Sequence, residues 1–257
     1  MQNRIFSTDS FKAIKADAFG YLNAIHYMAP HRVAGVGNLC ANASPACIAL
    51  CLGMWSGQAG LVRDDNDLPQ GNLVRASRIA KARRFMQERE AYMVDVVRSL
   101  ELLIRKARKL GKRLCVRLNG CTDIPWEGVA CVRNGVRYRN LFDAFAELEF
   151  CDYTKLAKRT LRALPPNYHL TLSRSEVNEQ ECIDALARGV NVAVVFAGDR
   201  PETWHGFATI DGDQHDLRQL DPRGARGVVV ALSPKGRKAK RDTSGFVVRQ
   251  LEQEKSS

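Results

Sequence analysis

No stretch of this chain approaches the run of about eighteen apolar residues that a membrane helix needs, and the start MQNRIFSTDSFKAIKAD has no apolar signal core. Those absences argue against a spanning segment and lead us to expect a cytoplasmic protein. Aromatic residues are few, six Tyr, three Trp and ten Phe, and none interleaves with a basic run, so a stacking platform for single-stranded nucleic acid is missing. No repeat of fixed period is present, nor a linker long enough to separate two domains.

What is present fits one globular domain. The 257 residues are long for one domain but within the range of an α/β barrel, and 45% hydrophobic with 26% charged residues excludes a disordered chain. The net charge of +11 includes two runs: Arg105, Lys106, Arg108, Lys109, Lys112 and Arg113, then Lys235, Arg237, Lys238, Lys240 and Arg241. Both make nucleic acid a candidate partner through phosphate, although the first run equally suits the solvated end of a helix, where cations meet the negative pole of the dipole. The eight cysteines would stay reduced in the cytoplasm, which turns attention from disulfides to metals, redox chemistry or packing.

The apolar pattern places a first strand at residues 21–29, closed by Pro30 and Gly35. Ser44-Pro45 reads as a helix start, with serine at the cap and proline at the first helical position. That helix would carry Cys47 and Cys51 on one face. A polar loop at 57–71 precedes helices at 72–90 and 91–110; Met93, Val96, Val97, Leu100, Leu103, Ile104, Ala107 and Leu110 make one stripe of the second. Beyond Gly111, strands are expected at 114–118, 149–153, 168–172, 191–196, 208–210 and 227–232, with helices at 141–147, 155–164 and 178–188. Continuous apolar strands such as VAVVF and GVVVAL, alternating with helices, imply a parallel sheet covered on both faces. The expected fold is α/β: a complete or partial parallel β/α barrel over residues 21–236, or a doubly wound open sheet. Residues 1–20 would be an N-terminal extension and 237–257 a basic polar tail.

The most informative spacing is Cys40-x6-Cys47-x3-Cys51, just after the first strand. A loop thiol facing two thiols one helical turn apart can hold a [4Fe-4S] cluster and leave one iron open; zinc with a further ligand, or small side chains buried as packing, fit the same spacing. In α/β proteins the loops at the carboxyl edge of the sheet carry function. Four such loops are polar: Arg117-Leu118-Asn119-Gly120-Cys121-Thr122-Asp123, Asp152-Tyr153-Thr154-Lys155, Ser173-Arg174-Ser175-Glu176, and Asp211-Gly212-Asp213-Gln214-His215. They supply Asp123, Lys155 and Glu176 as candidate catalytic groups, and Arg117, Asn119, Gly120, Asp152, Ser173, Ser175 and Asp213 as candidate cofactor-binding ones. Helix capping by Asp152, Thr154 or Ser175, and a plain turn at Asp211 to His215, compete with those roles.

Taken together, Asn38-Leu39-Cys40 with Cys47 and Cys51, Arg117-Leu118-Asn119-Gly120 with Asp123, Ile124 and Trp126, Asp152-Tyr153-Thr154-Lys155, His169-Leu170-Thr171, the strand Asn191 to Phe196, and Ile210-Asp211-Gly212-Asp213 resemble the gene 88 protein family of bacteriophages and mobile elements. The resemblance spans residues 21–248 and implies a phage origin. A weaker resemblance is to radical S-adenosylmethionine enzymes, which also place three cluster cysteines after the first strand of a partial β/α barrel. It would make S-adenosylmethionine a cofactor, with Asn119, Gly120 and Asp123 holding its methionine part and Ser173 and Glu176 facing its ribose or the substrate. That family spaces its cysteines C-x3-C-x2-C, whereas this chain has C-x6-C-x3-C.

Overall fold

The computed structural model describes residues 4–55 and 73–249. In chain order the elements are β1 (Phe6–Ser7), α1 (Phe11–Lys15), β2 (Tyr21–His26), α2 (Pro45–Ala49), α3 (Leu52–Trp55), α4 (Leu73–Gln87), α5 (Arg89–Lys109), β3 (Arg113–Arg117), β4 (Cys131–Arg133), β5 (Val136–Tyr138), α6 (Leu141–Ala144), β6 (Glu149–Thr154), α7 (Ala157–Thr160), β7 (Tyr168–Ser173), α8 (Glu179–Ala187), β8 (Val192–Ala197), β9 (Thr203–Trp204), β10 (Phe207–Asp211), β11 (Val229–Leu232), α9 (Gly236–Lys240) and β12 (Val248–Arg249).

One mixed, mostly parallel sheet organises the molecule. Its order is β1-β2-β3-β6-β7-β8-β11-β10-β9, with β12 added beside β8. From β2 to β8 each new strand joins the same side, and all these pairs are parallel. β11 then enters between β8 and β10, and short antiparallel strands finish both ends, β1 on β2 and β9 on β10. Among the described residues β1 and β9 are the two ends of this one sheet, and no pairing joins them.

The burial pattern explains why these segments are strands. All six residues of β2 are buried, as a strand covered on both faces requires. One core packs α4 and α5 against β2, β3 and β6 through Phe85, Tyr92, Val96, Leu100, Trp126, Phe142 and Phe150. A second surrounds β8, β11 and α8. The expected stripe of α5 is buried from Met93 to Leu100 and at Ala107, but Leu110 lies at the helix end and is 49% exposed.

Three expectations change. Residues 4–20 contribute β1 and α1 to the edge of the sheet, and residues 236–249 contribute α9 and β12. Where one helix is expected to carry Cys47 and Cys51, α2 ends at Ala49 with Leu50 as its cap; Cys51 sits at the junction, and its carbonyl accepts the Trp55 amide that starts α3. The β4–β5 hairpin carries no apolar alternation that would mark it in the sequence, since Val132 and Val136 are exposed. The loop expected at 57–71 lies outside the described residues. Among the described residues no helix is long and apolar enough to cross a membrane.

Candidate functional site

Parallel strands bring the loops after β2, β3, β6 and β7 to one edge. There a cavity of about 120 Å³ is lined by Cys40, Cys47, Cys51, Cys121, His31, Asp123, Tyr153, Lys155 and Ser173, among others. Cys40 comes from the loop after β2, Cys47 from α2, Cys51 from the α2–α3 junction and Cys121 from the loop after β3. Four cysteines from separate turns of chain thus line one small space.

Local chemistry fixes each of them. The Ser44 hydroxyl caps α2 by accepting the Cys47 amide at 3.2 Å, with Pro45 next to it. The Glu176 carboxylate accepts the Ser44 hydroxyl at 2.7 Å and the Ala46 amide at 3.0 Å. Glu176 therefore extends the cap from across the sheet and holds the segment that bears Cys47. His31 adopts a left-handed backbone, φ 37°, which costs a non-glycine residue free energy and directs its amide to Cys40 Sγ at 3.2 Å. The Cys40 thiol donates to the Cys121 carbonyl at 3.6 Å, tying the two cysteine loops together.

The β3 loop is held by a buried hub. Asn119 Oδ1 accepts from the Thr122 hydroxyl, the Ile124 amide and Trp126 Nε1, while Nδ2 donates to the Ile124 carbonyl and to Asp152. Asp152 also receives the Asn119 amide at 2.7 Å and the Tyr168 hydroxyl at 3.3 Å; its burial still pushes its carboxyl up to about 7. Gly120 donates to the His26 carbonyl at 3.0 Å, and a Cβ there would stand 2.5 Å from the Tyr27 ring. Only glycine lets the loop cross the end of β2 so closely. Asp123 accepts the Thr154 hydroxyl, the Lys155 amide and Arg159, which also grips Glu127.

Of the residues singled out in the sequence, Cys40, Cys47, Cys51, Asp123, Lys155 and Ser173 line the cavity together. Asn119, Gly120, Asp152 and Glu176 stand behind it and hold its loops. Arg117 pairs with Asp216 at 3.0 Å and lies over the Tyr153 ring. The Ser175 amide donates to Asn178, which occupies the cap position of α8 that the sequence assigns to Ser175. Asp211 to His215 form a turn, with Asp211 accepting the Asp213 amide and Asp213 paired to Lys235. The residue that sequence reasoning left out is Cys121. Its signal was its place two residues beyond Asn119 at a strand end.

Burial sets the protonation of the site. It pushes the Cys40 thiol up to about 12, and those of Cys47 and Cys51 upward as well, with Lys155 opposing the rise at Cys47. Burial likewise lowers the Lys155 ammonium, which donates to the Ser173 hydroxyl at 2.9 Å and the Arg174 carbonyl at 2.6 Å. Thiols in this state must lose protons to bind a metal. The Tyr153 hydroxyl is buried and has no hydrogen-bond partner among the described residues.

Among the described residues no three or more His, Cys, Asp or Glu side chains are placed to hold a metal ion. Tetrahedral zinc would draw four sulfurs to about 3.8 Å of one another, the edge set by 2.3 Å bonds, whereas a cubane cluster lets each sulfur meet a different iron. The volume is below the roughly 300 Å³ at which pockets for small organic molecules begin.

A second cavity, of about 1000 Å³, lies beyond a partition. Cys121 packs on Tyr27, and Arg78 Nη1 is 3.8 Å from Cys121 Sγ with its guanidinium over the Tyr27 ring; Tyr27 and Arg78 line the larger space.

No curated protein and no solved structure matches this chain. The family model described as gene product 88 matches residues 5–250, which takes in every strand of the sheet and every residue lining the smaller cavity, and the chain belongs to that phage family.

Proposed function

We propose that the chain is an iron-sulfur protein in which Cys40, Cys47 and Cys51 hold a [4Fe-4S] cluster at the carboxyl edge of the sheet. The observation that carries this reading is that four cysteines from separate segments line one cavity too small for an organic ligand. Such a cluster supplies an iron that can take a substrate or pass an electron, depending on whether a fourth thiolate occupies it. Cys121 is the exchangeable fourth ligand, because it is the cysteine of the small cavity that also packs against Tyr27 and Arg78 on the wall of the larger one. Lys155 places a cation beside Cys47, which favours the thiolate there and offsets part of the negative charge of a thiolate-bound cluster.

Anaerobic reconstitution with iron and sulfide tests the reading. A brown protein with about four irons per chain is expected. Cys47→Ala should lose the iron and the colour, while Cys121→Ser should keep the colour and bind its fourth iron more weakly. A chain that stays colourless and iron-free, or that takes zinc alone, would remove the proposal.

A further inference from the structure

The larger cavity is charged in an unusual way. Among its lining residues are six cations, Arg4, Lys15, Arg78, Lys81, Lys235 and Lys240, and two carboxylates, Asp213 and Asp216. Both carboxylates already have cationic partners, Asp213 in Lys235 and Asp216 in Arg117. The face of α4 that meets the cavity is built of Val74, Ser77, Arg78 and Lys81, the spacing of one helical stripe, yet its deepest members are cations where a stripe facing the core would be apolar.

Lys81 is the informative residue. It is 7% exposed, and among the described residues its ammonium has no carboxylate partner; its one hydrogen bond is a long one, 3.5 Å to the Arg4 carbonyl. An ammonium is almost never buried in this way unless it is paired, because desolvation costs several kcal/mol. Here it lines a space large enough for a nucleotide and stands on one helix with Arg78, which is 5% exposed. The missing partner is an anion that the cavity admits from outside.

We propose that this cavity binds a phosphate-bearing ligand of nucleotide size, with Lys81 and Arg78 receiving the phosphate at its inner wall. The Ser77 hydroxyl, on the same helical face, also lines the cavity and can donate to a phosphate oxygen. S-adenosylmethionine, whose sulfonium is cationic, does not suit a space surrounded by so many cations. The site stands on its own residues and does not depend on a cluster in the smaller cavity.

Calorimetric titration of the full chain, as purified and again after anaerobic iron-sulfur loading, tests the assignment with four probes: pyrophosphate, ATP, adenosine and a short 5′-phosphorylated oligonucleotide. ATP and pyrophosphate should bind in both preparations and adenosine should not. Binding of the oligonucleotide alone would still support phosphate recognition, and would name a nucleic-acid end as its source. Lys81→Met separates function from structure. Removing a buried cation that lacks a carboxylate partner should raise the melting temperature while weakening ATP by about tenfold or more. The proposal is overturned if no phosphate probe binds either preparation, or if Lys81→Met lowers the melting temperature and leaves ATP affinity unchanged.

Discussion

The two cavities lie on either side of Cys121, Tyr27 and Arg78, and they are built by opposite rules. Around the cysteine cavity the groups that hold its loops are matched, the Tyr153 hydroxyl apart: the Asn119 side chain makes five hydrogen bonds, Asp152 accepts three, and Glu176 caps the segment that bears Cys47. Around the larger cavity a buried cation lacks a carboxylate partner. The first arrangement spends stability on holding soft ligands in fixed positions; the second withholds stability until a ligand arrives. Substitutions in the two regions should therefore move stability in opposite directions.

The largest effect is expected at Asn119. Its replacement by alanine leaves the Trp126 indole and the Ile124 amide without the partner they share and removes one of the three hydrogen bonds to Asp152, in a region where Asn119 itself is 2% exposed. Each unsatisfied group costs about 1–3 kcal/mol, so Asn119→Ala should destabilise the chain by about 3–5 kcal/mol in urea unfolding. Iron loading should fall with it, because Cys121 follows two residues later. A loss below about 1 kcal/mol would show that the hub does not hold the β3 loop, and would erase the contrast with Lys81.

The strands of this sheet were legible in the sequence because burial on both faces demands continuous apolar runs, and VAVVF and VVAL leave no other reading. So was the α2 start, since Ser44 and Pro45 each have a single backbone reason to be there. The edges were not. β1, β9 and β12 are two residues each and owe their shape to the strand beside them. At the site, the three spaced cysteines announced themselves, but Cys121 did not, because it joins them only through the crossing that Gly120 permits over the end of β2. Glu176 was visible as a polar strand-end residue, and its actual task, capping a helix about 130 residues away, depends on the parallel order of β2, β3, β6 and β7. The basic face of α4 was hidden for a related reason: its cations are spaced like a solvated stripe, and only the packing shows that they are buried.

Glu176 gives a smaller and sharper test of the matched side. Its carboxyl is held below the usual value of 4.5 by the Ala46 amide and the Ser44 hydroxyl, against a desolvation that acts the other way. A carboxyl lowered in the folded state contributes stability above pH 4.5 and loses it as the pH falls through the folded value. Glu176→Gln should cost about 0.5–1.5 kcal/mol at pH 7, a loss that vanishes toward pH 3, and should slow iron loading by loosening Cys47. An unchanged acid-unfolding profile would mean that the α2 cap rests on Ser44 alone.

The smallest effect, and the one that separates the cavities most cleanly, is the pH dependence at Lys81. Burial, with the charge of Arg78 adding to it, lowers the ammonium from 10.5 to about 8. The groups that face it are Arg78 on its own helix, the Arg4 carbonyl beside β1, His26 on β2 and Cys121 after β3. His26 is pushed down to about 3 by burial and stays neutral throughout the neutral and alkaline range. Between pH 8 and 10.5 the unfolded chain holds a proton on this lysine that the folded chain has lost, so the contribution of Lys81 to stability without ligand should rise with pH across that window, against the opposite trend of the buried thiols. Phosphate binds the ammonium and not the amine, so ATP affinity should fall several-fold from pH 7 to pH 9, as protons are taken up on binding. In Lys81→Met both trends should flatten. If ATP affinity instead falls equally in the variant, Lys81 does not carry the pH dependence of binding, and the buried cation has another purpose.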